Sequence, residues 1–115
     1  MQITISLDGK SSVPEATELR EWLHSARISQ IDKLTQEELP PKPGEQGPEL
    51  LAIVTVILGS KALVELIHSI HRYIEARTPK TRIEIKNGDK VIIIDSTNPP
   101  SVSELVRQAQ ILSAS

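Results

Sequence analysis

The chain has 115 residues, with 13 Lys plus Arg against 15 Asp plus Glu and a net charge of −2. That length suits one domain, residues 1–115, around one hydrophobic core; the near-neutral charge does not suggest a nucleic-acid binder, and none is expected as a partner. There is no cysteine, and Trp22 and Tyr73 are the only aromatics, which excludes disulfides, thiolate metal sites, thiol nucleophiles and a stacking platform for single strands.

The amino-terminal MQITISLDGK lacks the basic start and apolar block of a secretion signal, so a cytoplasmic protein is expected. Within it, Ile3, Ile5 and Leu7 alternate with Gln2, Thr4 and Ser6, the pattern of a half-buried strand closed by Asp8-Gly9. Ser12 with Glu15 three residues on forms a capping box, and Pro14 is tolerated in a first helical turn. Ala16, Leu19, Trp22, Leu23 and Ala26 recur at helical spacing, predicting a first helix over about 13–26 with Trp22 on its core face. His24 beside that face reads as a boundary residue.

Residues 27–39 read both ways. Ile28, Ile31 and Leu34 sit three apart, which suits a helix, but β-branched content and flanking breakers favour a strand over 28–34. The stretch 37–48 carries four prolines and two glycines and reads as a loop. Pro40, Pro41, Pro43, Gly44, Glu45, Gln46 and Gly47 form either a stiff connector or a polyproline surface for a partner.

From Glu49 to Arg77 only Gly59 interrupts a helical reading, and Thr78-Pro79 ends it. This predicts one long central helix over 49–77. Its second half is amphipathic, but Leu50, Leu51, Ile53, Val54, Val56, Ile57 and Leu58 would cover the whole circumference of the first half. A helix apolar all round must be buried all round, and a chain this short has few elements to surround it. Those seven residues are therefore expected to form a subunit or partner interface, with self-association as the consequence. Membrane insertion is the alternative. Lys61 and Glu65 would cost about 5–7 kcal/mol at a bilayer centre against about 4–7 returned by the aliphatics, which leaves insertion near balance or unfavourable.

Residues 82–95, RIEIKNGDKVIIID, predict a β-hairpin turning at Asn87-Gly88. Its returning strand, Val91–Ile94, is apolar on both faces, so it is expected centrally in a sheet or beneath a covering element. A second capping box, Ser101 with Glu104, opens a last helix whose stripe is Val102, Leu105, Val106, Ala109 and Leu112. The expected order is β-α-β-α-β-β-α, an α+β fold with a small mixed sheet.

Chemistry-bearing constellations are sparse. Glu65, His68 and His71 stand three apart, but a zinc site needs three or four converging ligands and the zincin spacing is missing. No metal or cofactor is expected. Serines and histidines occur without a nucleophile signature, and PGEQGPE lacks the Lys-Ser/Thr ending of a phosphate loop. No enzymatic activity is expected.

ATELREWL in the first helix, the PPKPGEQG segment, the apolar stretch ending at Arg77 and the hairpin RIEIKNGDKVIIID together resemble the effector-associated constant components of bacterial conflict systems. The resemblance runs through nearly the whole chain in order. It implies a non-enzymatic adaptor that couples a regulatory component to an effector, such as a caspase-like or trypsin-like peptidase, through protein contacts and self-assembly. It carries no catalytic residues to transfer.

Overall fold

The computed structural model describes residues 1–8, 12–28, 31–39, 51–77, 82–94 and 101–113. The elements are β1 (Gln2–Asp8), α1 (Ser12–Ser25), β2 (Ile31–Leu39), β3 (Leu51–Leu58), a 3-10 turn (Ser60–Ala62), α2 (Leu63–Arg77), β4 (Arg82–Asn87), β5 (Lys90–Ile94) and α3 (Val102–Ser113). The fold is α+β. The five strands form one sheet in the order β2-β3-β1-β4-β5, with every neighbouring pair antiparallel, so the sheet is not the mixed one expected.

The long helix over 49–77 is not formed. Leu51–Leu58 is a strand, and the helical part begins only at Leu63, after the 3-10 turn. The cause is local and tertiary at once. Five consecutive residues, Ile53 to Ile57, are β-branched; their stiff side chains fit a pleated surface better than a helix. The strand is also interior to the sheet, paired with β1 on one side and β2 on the other. Apolarity on both faces, read as a helix needing a partner, is equally the mark of an interior strand.

Two further expectations shift. The strand expected at 28–34 lies at Ile31–Leu39, with a bulge between Ile31 and Lys33. Ile28 is instead a buried residue ahead of it. Strand β5, expected in the sheet centre or covered, is an edge strand; Val91 and Ile93 are 46% and 51% exposed.

Register places Ile3, Ile5 and Leu7 of β1 beside Val56, Val54 and Ala52 of β3, and Ile5 and Leu7 beside Ile85 and Ile83 of β4. Ile92 and Ile94 extend this layer through β5. All of these are buried in one cluster with Leu19 and Leu23 of α1, Leu66, Ile70 and Ile74 of α2, and Leu105 and Ala109 of α3. The three helices therefore lie on one face of the sheet. Gln36, on the same side of β2, accepts from Arg20 Nε at 3.0 Å and donates to Thr17 Oγ1 at 2.9 Å, fixing α1 over the β2–β3 edge.

The capping box at α3 is half realised. Glu104 N donates to Ser101 Oγ at 3.2 Å, while the Glu104 carboxylate accepts from Arg107 and Gln108. The Arg107 hydrogen bond in particular lowers the Glu104 pKa.

In the β4–β5 hairpin Asn87 pairs with Lys90, so the two turn residues are Gly88 and Asp89, one position later than expected. Gly88 has φ +62°, and the space a methyl group there would occupy is open. The positive φ is that of a type II′ turn, which takes glycine first. Gly88→Ala is expected to destabilise by about 1 kcal/mol through backbone strain alone. Urea denaturation checks this; an unchanged midpoint would show that the turn relaxes into another type.

Candidate interaction surfaces

The expected interface set is divided by the strand. Val54, Val56 and Leu58 point under the helices and are fully buried. Ile53 and Ile57 lie on the opposite face, half-buried. Leu51 pairs with Leu39 at the end of the β2–β3 ladder. Leu50 falls outside the described residues, as do Pro40, Pro41, Pro43, Gly44, Glu45, Gln46 and Gly47 of the expected partner loop.

No described element covers the face that carries Ile53 and Ile57. Register lines its residues up in rows across the strands. Thr35, Thr55, Thr4, Lys86 and Val91 form one row, from β2 to β5. Glu37, Ile53, Ser6, Glu84 and Ile93 form the next. Over β3 and β1 the face therefore carries short hydroxyls between two isoleucines. Over β4 it is charged: Glu84 lies 3.7 Å from Arg82 and 3.5 Å from Lys86. At β5 it turns apolar again.

On the helical side, a concavity of about 440 Å³ opens between α1 and α2, lined by Glu18, Glu21, Trp22, Ser69, Arg72 and Arg77 among others. Of the two aromatics, Trp22 lines it and Tyr73 is fully buried behind it. The Trp22 and Tyr73 rings meet edge-on, with centroids 5.8 Å apart. Trp22 Nε1 donates to the Ser69 carbonyl at 3.1 Å, and the Tyr73 hydroxyl donates to the Glu15 carbonyl at 3.1 Å. Each polar tip thus ties one helix to the other's backbone. Burial, then the nearby Glu18 and Glu15 carboxylates, pushes the Tyr73 pKa well above its ordinary value. Arg77 lies 3.4 Å from Glu18 and 6.0 Å from the Trp22 ring centre. An internal ion pair and a cation–π contact therefore occupy this groove wall.

Glu65, His68 and His71 do not converge. Glu65 and His68 line a shallow hollow with Lys61 and Arg72. His71 is buried, with Nδ1 at 2.8 Å from Glu75 Oε1, although that contact lacks hydrogen-bond alignment. Among the described residues no group of three or more such side chains is placed to hold a metal ion.

Among the described residues, too, no helix is long and apolar enough to cross a membrane. The segment weighed for insertion is a strand followed by a 15-residue helix.

Sequence reasoning missed the exposed aliphatics of β5. The signal was present in KVIII, but a run apolar on both faces does not reveal whether a neighbouring strand exists.

No curated protein matches the chain. A family profile does, over residues 8–110, from the last residue of β1 into α3. The chain belongs to the family described as Effector Associated Constant Component 1.

Proposed function

We propose that the chain is a non-enzymatic cytoplasmic adaptor of a bacterial conflict system. It joins an effector, such as a caspase-like or trypsin-like peptidase, to its regulatory component. The observation that carries this reading is the sheet face opposite the helices. Its interior strand β3 presents Ile53 and Ile57 there with no described layer above them. Burial of that surface awaits a second protein, and the family's description, which is one of association with effectors, supports an effector-system protein as that partner. The row of short threonine side chains between the two isoleucines suits a broad protein surface better than a small ligand, which needs a concave site.

The test uses the purified effector or regulator encoded beside this chain. Ile53→Lys and Ile57→Lys are each expected to weaken binding at least about tenfold, as for central interface positions. Circular dichroism should stay unchanged. Undiminished binding by both folded variants would remove the sheet face from the mechanism.

A further inference from the structure

Among the described residues four large aliphatic side chains are exposed: Val64, Val91, Ile93 and Ile111. Two of them stand at one edge of the sheet, and a third is carried by the helix that borders it. Val91 and Ile93 are on β5 itself. Ile111 is on α3, where its carbonyl accepts from Lys90 Nζ at 3.1 Å, which holds that part of α3 against the start of β5.

The two sheet edges are built differently. The β2 edge carries Asp32, Lys33, Glu37 and Glu38 and a bulge, the usual defences against unwanted strand pairing. From Val91 to Ile94 the β5 edge has no charge, no proline and no bulge. The orientation of its backbone follows from the hairpin. Asn87↔Lys90 closes a two-residue turn, so Lys90, Ile92 and Ile94 direct their N–H and C=O groups toward β4. Val91 and Ile93 direct theirs outward, beyond the last strand of the sheet.

We propose that β5 pairs antiparallel with β5 of a second copy of this chain, about a two-fold axis at Ile92, joining the two sheets edge to edge. The sequence of the edge is what selects a second copy as occupant. About that axis Val91 stands opposite Ile93 of the other copy, and Ile93 opposite its Val91. These are the two residues with outward backbone groups, so each pair exchanges two hydrogen bonds. Both side chains of each pair lie on the uncovered face, aliphatic against aliphatic. Ile92 meets its own counterpart on the helical side, and Lys90 falls opposite Ile94, so no like charges meet. A perpendicular two-fold axis also keeps both helical layers on one side, with Ile111 beside the seam. The two uncovered faces then point the same way. This last consequence rests on the adaptor reading: a dimer would present two partner surfaces side by side.

The dimer itself is tested on the isolated chain, so its failure leaves the partner-binding experiment untouched. Sedimentation velocity of the full chain is expected to show a dimer at about 100 µM that dissociates on dilution. Ile93→Lys should raise the dissociation constant at least about tenfold with circular dichroism unchanged; Val91→Lys serves if that variant misfolds. The chain's lack of cysteine allows a register test: oxidation of a mixture of Val91→Cys and Ile93→Cys proteins should give the mixed disulfide dimer, and neither variant alone should cross-link. A wild-type monomer at the top concentration overturns the proposal, including one whose β5 edge instead captures an extended peptide from a partner. So does a dimer indifferent to Ile93→Lys, or self-cross-linking of Val91→Cys.

Discussion

Val54→Lys is expected to abolish the fold, whereas Ile57→Lys leaves it within about 1 kcal/mol of wild type. Val54 has no exposed surface, pairs with Ile5 and Gln36 in the middle of the sheet, and faces the helical layer. A lysine there places an unpaired charge in an aliphatic core. The cost, on the order of 4 kcal/mol or more, is most of the stability of a domain this size. Ile57 is three residues on, an odd number, so on a strand it points to the other face, beside Gln2 and Lys33. On a helix the same two positions would share a face, and the two substitutions would act alike. Urea denaturation followed by the fluorescence of the single tryptophan separates the cases. Equal losses from the two variants would overturn the strand assignment.

The second large effect is expected at Tyr73. Its side chain is fully buried, and its ring and hydroxyl both join α2 to α1. Tyr73→Ala should cost about 3–5 kcal/mol through the lost packing and the cavity left behind. Tyr73→Phe should cost about 1 kcal/mol, because it removes the hydrogen bond from the hydroxyl to the Glu15 carbonyl. The raised pKa fixes a pH dependence. Above the ordinary phenol value of about 10, the unfolded chain gives up this proton while the folded chain keeps it. The unfolded state then binds fewer protons, so stability falls as pH rises through that window and is unaffected by Tyr73 below it. Since the chain has one tyrosine, phenolate absorbance reports on Tyr73 alone. It should appear only together with unfolding, and Tyr73→Phe should reduce the alkaline loss. Phenolate absorbance near pH 10 in a protein that remains folded would show the hydroxyl to be accessible.

Both experiments probe places where local pattern and global packing speak differently. The alternation of Ile3, Ile5 and Leu7, the helical spacing from Ala16 to Leu23 and the Asn87-Gly88 signal were legible because each concerns residues close in sequence. Nearest-neighbour geometry sets the period, and the period identifies the element. The apolar run from Leu51 to Leu58 was not legible in that way. With both faces apolar it has no period, and its β-branched content was the one clue to a strand. The surface expected of it is correspondingly reduced to Ile53 and Ile57.

Strand β5 failed for the complementary reason. Its two-faced apolarity matches that of β3, yet β3 is interior and β5 lies at an edge. No window of sequence around Val91–Ile94 contains that difference, because it depends on which strand, if any, lies alongside.

By itself, then, the sequence determined the fold class, three of the five strands, the amphipathic stripes of the helices, and a pattern of segments sufficient to point to the family; the second strand it favoured only at a displaced position. Those properties follow from propensity and periodicity, which act over a few residues. Tertiary structure alone decided the strand order, the covering of one sheet face by all three helices, the joining of Trp22 to Ser69 and of Tyr73 to Glu15, and the exposure of β5. These are contacts between residues far apart in the chain, and burial is a property of the neighbours a side chain meets rather than of the side chain.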